Sequence, residues 1–148
     1  MKLVKLASSY LGQARSRLKD AGGALGERNF PYALRLSQEC VELSLKASLR
    51  LVGIEYPKVH DVSDVLLGVR ERFPVWFGEN VEEMAKISTS MAMKRELAFY
   101  GADDELMPPE EAISRKDAES AVRDAGRVHS LCARLLSEYG AEATWKNT

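Results

Sequence analysis

The side chains able to do chemistry in this sequence are few and scattered. Its two histidines, His60 and His129, and its two cysteines, Cys40 and Cys132, lie too far apart in sequence to suggest a zinc site. There is no glycine-rich loop of phosphate-binding spacing, and no paired Glu-x-x-His steps of a di-iron bundle occur. No cofactor or metal is therefore expected. What remains is the chemistry of guanidinium, imidazole and carboxylate groups. Arg95 is a candidate phosphate ligand, or a partly buried partner of Glu39 or Glu42, and the two roles can coexist in one cleft. Lys94, Arg95, Arg115, Lys116, Arg123 and Arg127 make a local basic patch only if the ends of two helices meet, and a solvated charged face explains them equally well. Glu42 and Lys46 stand in the favourable (i, i+4) order. His60 stands at a predicted helix start, where a structural hydrogen bond competes with a ligand role, and His129 lies beside a predicted core stripe.

The elements that must position these groups are helical. Asn29 to Gly53 is the central stretch: Asn29 is a candidate N-cap, Pro31 falls in the first turn and Gly53 is a candidate C′ residue. Arg35, Gln38 or Glu39, Glu42, Lys46 and Arg50 recur at three or four, so one narrow stripe carries almost all of this helix's charge. A helix apolar over the rest of its circumference is expected to be covered by other helices of its own chain or of a partner, and a homodimer is predicted on that basis. Ahead of it, Leu3 to Leu25 has amphipathic spacing that stays in phase through Gly22 and Gly23. The short turn after it predicts an antiparallel hairpin.

Pro57 forces a loop, after which Asp61 or Ser63 caps a shorter helix that ends before Pro74. Phe73, Val75, Trp76 and Phe77 are read as an apolar connector, followed by a helix from Glu79 to Phe99. Pro108-Pro109 marks a loop. Ser114 with Asp117 forms a variant capping box for the last helix, with Gly140 as its C′ residue. No strand-like alternation appears. The fold class is all-α, an up-and-down antiparallel bundle of four long helices plus one shorter helix, with residues 1–140 as a single domain and 141–148 as a C-terminal tail.

A chain of 148 residues with a net charge of −1 suits one domain and sets up no global field toward nucleic acid or anionic lipid. Both cysteines sit on apolar helix faces and read as buried thiols. No run reaches the length of a membrane span and the N-terminus lacks a secretory apolar stretch, so a cytoplasmic protein without a membrane partner is expected.

In three places the sequence resembles the HEPN family, named for its occurrence in higher eukaryotes and prokaryotes. Residues 14–62 are similar to the family's opening helix hairpin, with Ala33-Leu34, the step from Glu42 to Lys46, and His60-Asp61. The segment KRELAFYG, Lys94 to Gly101, resembles the Arg-rich end of its third long helix with a Tyr-Gly exit, and KDAESAVRDAGRVHSL resembles the start of its final helix. The resemblance covers roughly Tyr10 to Leu136.

The resemblance implies a helical bundle that usually dimerises around a cleft. Many members are metal-independent ribonucleases, often toxins encoded beside a minimal nucleotidyltransferase that serves as antitoxin; others have lost catalysis and bind nucleotide, RNA or protein. The active members carry an Arg and a His four to six residues apart, His to move a proton and Arg to stabilise phosphoryl charge. Here Arg95 is followed by Tyr100 where that His is expected, and a phenol is a poor base at neutral pH. Arg123 and His129 have the spacing, but six helical steps set them about 120° apart, so they converge only with a bend at Gly126 or with help from a second subunit. The expectation is a binding domain without a strong catalytic motif of its own, with Arg95, Tyr100, Lys94, Glu42, Lys46 and His60 at its ligand site. A ribonuclease using Arg123 and His129, or Arg95 with a His from elsewhere, is the alternative, and a ligand-free interaction bundle is the third.

Overall fold

The computed structural model describes residues 2–146, with side chains as far as Ala141. The order of elements is α1 (Lys2–Gly26), α2 (Phe30–Leu51), α3 (Ser63–Gly68), a 3-10 turn at Arg70–Arg72, α4 (Val75–Tyr100), a second 3-10 turn at Asp103–Glu105, α5 (Pro109–Ala112) and α6 (Arg115–Lys146). Four of these helices are long, and the described residues contain no strand, only an isolated bridge between Ala102 and Met107. This is the all-α bundle the spacing predicts.

α2 is the central element, packed against α1, α6 and α4. Leu34, Val41, Leu45 and Leu49 are buried among Ala7, Leu11 and Ala14 of α1, Val81, Met84 and Met91 of α4, and Val128, Cys132 and Leu135 of α6. Removing each such Leu from water contributes about 2 kcal/mol. The chain's own helices therefore cover the apolar faces of α2, and its excess of apolar residues no longer argues for a partner.

The ends of the elements follow local chemistry, with departures from expectation at a few of them. Gly53 adopts φ +76 and closes a Schellman motif, its N–H reaching Arg50 O (3.0 Å) while Ile54 N–H reaches Leu49 O (2.9 Å). Ser114 and Asp117 form the reciprocal capping box, with bonds of 3.0 and 3.1 Å. Asn29 does occupy the N-cap of α2, yet it caps through its carbonyl, which accepts from Ala33 N–H at 3.0 Å, and not through its side chain. The residues Val75 to Phe77 are the first turn of α4 rather than a connector: Pro74 supplies the N-cap, and the carbonyl of Pro74 accepts from Phe77 and Gly78. Pro109 starts the single-turn helix α5, where its missing N–H has no partner to lose.

α6 runs past Gly140 to Lys146, so Gly140 does not end it. At the exit of α4, Gly101 has φ +71, and a Cβ there would collide with the Met107 carbonyl oxygen. Only glycine lets the chain turn so tightly after Tyr100.

Asp61 fastens the approach to α3 onto α4. Its carboxylate accepts from Ser63 N–H (3.0 Å), Ser88 Oγ (2.8 Å) and Thr89 Oγ1 (2.9 Å). Partial burial works against the charged form, but these bonds outweigh it and hold Asp61 below the ordinary carboxylate value. The neighbouring residue, His60, is thereby placed beside α2.

Candidate functional site

Five polar residues of α2 project on one side at helical spacing: Arg35, Gln38, Glu42, Lys46 and Arg50. Two groups from other elements reach this stripe. Arg95 of α4 donates through Nη1 to Gln38 Oε1, and the Gln38 Nε2 amide donates onward to Glu42 Oε1 at 3.0 Å. His60, in the connection between α2 and α3, lies with Nδ1 2.7 Å from the same Glu42 oxygen, and Lys46 Nζ donates to Glu42 Oε2 at 2.9 Å. Arg95, Gln38, Glu42 and His60 thus form one hydrogen-bonded chain across the stripe.

Glu42 is the hub of that chain. Burial alone would push its carboxyl up, but bonds from Gln38, Lys46 and His60 together hold it below its ordinary value of 4.5. An ionised Glu42 accepts only, so His60 Nδ1 carries the proton it shares with the carboxylate. The other ring nitrogen, Nε2, makes no hydrogen bond among the described residues, on a side chain that is 59% exposed.

Aromatic rings hold the cations of the stripe without neutralising them. The guanidinium carbons of Arg35 and Arg95 lie 3.5 and 5.0 Å from the centroid of Phe99, and Lys46 Nζ and the Arg50 guanidinium lie 5.0 and 4.7 Å from that of Tyr56. Tyr56 is steadied in turn by Tyr10, hydroxyl to hydroxyl at 2.6 Å. Such contacts contribute about 0.5–2 kcal/mol each, and a ring face leaves the positive charge in place where a carboxylate would cancel it. Among the described residues neither Arg35 nor Arg50 has an ion pair, and the buried Nε of each has no hydrogen-bond partner. Of these four cations only Lys46 pairs with a carboxylate, Glu42, among the described residues.

The other predicted site residues lie apart from this network. Lys94, one residue from Arg95, turns to α6 and pairs with Asp117 at 3.8 Å. Tyr100 is exposed, its ring 5.7 Å from that of Phe99. Arg123 reaches only Ser120 of its own helix at 3.2 Å, while His129 Nε2 is 3.2 Å from the carbonyl oxygen of Leu11 in α1. Gly126 lies within uninterrupted helix, and within this chain the structure does not bring Arg123 and His129 to a common point.

Nor do the six basic residues of α4 and α6 assemble into one patch. Arg127 is bound to Glu83 at 2.7 and 2.9 Å, Arg115 stacks on Phe30 at 5.6 Å, and Arg95 faces α2. Arg95 bonds neither of its expected partners: Gln38 intervenes before Glu42, and Glu39 pairs with Arg17 at 3.5 Å. Arg35, Arg50, Gln38 and the platforms Phe99 and Tyr56 belong to the candidate site and were not among the predicted ligand residues, although Arg35, Gln38 and Arg50 were visible as the charged stripe. Both cysteines are buried thiols, with Cys40 pushed up to about 12 by burial and Cys132 pushed up for the same reason.

The match to known proteins agrees with the helical architecture. Residues 7–135 match the HEPN domain model, which is nearly the whole chain. The chain belongs to the HEPN domain family. It is 30% identical over 144 residues to a Methanocaldococcus jannaschii protein named "Putative toxin MJ1304", covering 93% of each chain. Its fold is similar to the crystal structure of TT1696 from Thermus thermophilus, with a TM-score of 0.68 and 21% identity over 86% of this chain and 96% of that one. Among the described residues no helix is long and apolar enough to cross a membrane.

Proposed function

We propose that this chain is a toxin-type HEPN protein that acts in the cytoplasm as a homodimer and binds RNA or nucleotide phosphates along the stripe between α2 and α4. Its antitoxin partner on this reading is a minimal nucleotidyltransferase. The observation that carries the reading is the row of Arg35, Arg95, Lys46 and Arg50, held on aromatic faces with only Glu42 among them. A row of cations several residues long fits a polyanion better than a single carboxylate, because each phosphate released from its counterions adds to affinity. The toxin name of the Methanocaldococcus jannaschii relative supports the biological class.

The homodimer rests on α4 rather than on α2. Met93 is 73% exposed, and Leu97 and Tyr100 follow it on the outer side of α4. Beside them lies a groove of about 830 Å³ bounded by Leu67 of α3 and by Ala85, Thr89, Met93 and Leu97 of α4. A contiguous apolar surface of this kind is unusual on a monomer.

Fluorescence anisotropy with a labelled RNA tests the binding. The affinity is expected to fall steeply with salt and to weaken about tenfold in Arg95→Ala, while circular dichroism stays unchanged. Salt-independent binding, or full affinity in Arg95→Ala, would overturn the reading. Light scattering at micromolar concentration is expected to give twice the chain mass, and Met93→Glu is expected to return it to the monomer mass. Co-purification with a co-expressed minimal nucleotidyltransferase checks the partner.

A further inference from the structure

We propose that the stripe holds phosphates in two unequal subsites, and that its ligand is a short RNA strand ending in a phosphomonoester. This rests on the phosphate-binding reading above and names the ligand for it. The cations do not form an even row. Arg35 and Arg95 share the ring of Phe99, with guanidinium carbons 3.5 and 5.0 Å from its centroid. Lys46 and Arg50 share the ring of Tyr56, at 5.0 and 4.7 Å. Glu42 stands between the two groups on α2, with His60 and Lys46 on its carboxylate.

The two groups differ in the charge they can offer. At the Phe99 end neither guanidinium meets a carboxylate among the described residues: Arg35 has no ion pair, and Arg95 bonds the neutral amide of Gln38. Two like charges around one ring repel until an anion lies beside them. At the Tyr56 end Lys46 is only 11% exposed and is bound to Glu42 at 2.9 Å, which leaves Arg50 alone. Arg50 also lies in the last turn of α2, where the helix's terminal carbonyls offset part of its charge. A terminal phosphomonoester carries about −1.5 to −2 at pH 7, against about −1 for each diester of a strand. The monoester therefore fits the arginine pair on Phe99, and a diester fits Arg50.

Spacing sets the length of the ligand. At a rise of 1.5 Å per residue, the backbones of Arg35 and Arg50 stand about 22 Å apart along α2. The adjacent phosphates of one nucleoside triphosphate cannot span that distance, whereas a strand of about four nucleotides can. The middle diesters of such a strand pass Glu42, whose negative charge offers them no partner. A mononucleotide fills one subsite and leaves the other empty.

The test is fluorescence anisotropy of the full chain in EDTA with two pairs of labelled tetraribonucleotides. One pair differs only in a 5′-phosphate against a 5′-hydroxyl, the other only in a 3′-phosphate against a 3′-hydroxyl. A long labelled RNA is measured in parallel. In one pair the phosphorylated strand is expected to bind about tenfold tighter, which also assigns the end that lies on Phe99. Unlabelled ATP should compete at least about tenfold more weakly than that strand. Arg35→Ala should erase the gain, and so should Arg35→Gln, which keeps a longer side chain over Phe99. Arg50→Ala should weaken both members of the pair about fivefold and keep the gain.

Long RNA bound with no gain from a phosphate at either end, or a gain that survives both Arg35 variants, overturns the two subsites and leaves the binding reading standing. ATP that competes as well as the phosphorylated tetranucleotide overturns them in the same way. A wild type that does not bind the long RNA removes both readings together.

Discussion

His60 and His129 share a side chain and little else. His60 sits in a connection, more than half exposed, with one nitrogen on the carboxylate of Glu42 and the other without a hydrogen bond among the described residues. His129 sits within a 32-residue helix with Nε2 against the Leu11 carbonyl, which fastens α6 to α1. The difference is one of partner and access: a carboxylate orients an imidazole and leaves it free to react, whereas a bond to a backbone carbonyl occupies the nitrogen that would react. The same contrast runs through the arginines. Arg35 and Arg95 rest on the Phe99 ring and keep their charge available, while Arg127 is matched atom for atom by Glu83. Sign and spacing along the sequence do not distinguish a cation poised for a ligand from one already neutralised.

The largest effect that would break this contrast is in RNA binding. The double variant Arg35→Ala with Arg95→Ala is expected to weaken binding about 100-fold and to lower the salt slope by about two. Arg123→Ala with Arg127→Ala, equal in charge lost, should change affinity less than about threefold. Equal losses in the two pairs would mean that charge alone, not its environment, decides binding.

Next in size is His129→Ala. It leaves the Leu11 carbonyl without its partner and is expected to cost about 2 kcal/mol in urea unfolding, with RNA binding and any turnover unchanged. Loss of turnover with intact stability would instead make His129 the reacting group.

Glu42→Gln is expected to cost about 1 kcal/mol at pH 7, from weaker bonds to Lys46 and His60. Because the folded-state value of Glu42 is depressed, its contribution is fully present above the ordinary value of 4.5 and is lost as pH falls through the folded value. The urea midpoints of wild type and variant should therefore converge as pH falls below the ordinary value of 4.5, and a gap that stays constant on acidification would count against the charged hub. The smallest effect belongs to Arg127→Ala, whose pairing with Glu83 is half-exposed on both sides: no resolvable shift of the unfolding midpoint is expected.

Much of the fold was legible because it is local. The C′ role of Gly53, the capping box of Ser114 and Asp117 and the continuity of α1 through Gly22 and Gly23 depend on residues within one or two turns, and each is found in the structure. The first turn of α4 was not legible, because Phe73, Trp76 and Phe77 are apolar on every side and their run hides the helical period. The end of α6 was missed for the opposite reason: glycine permits a helix stop without requiring one, and α6 passes through both Gly126 and Gly140.

The sequence by itself determined the four long helices, the order in which they follow one another and the charged stripe from Arg35 to Arg50, because periodicity and capping act over a few residues. Only the tertiary structure decided which charges meet. Arg95 could have met Glu39, Glu42 or a phosphate. It meets Gln38, and the hub forms because the packing of α4 on α2 and the anchoring of Asp61 to Ser88 and Thr89 bring Arg95 and His60 to the same side of α2. Contacts between residues eighteen and fifty-seven positions apart are set by how helices pack, and no local pattern encodes them.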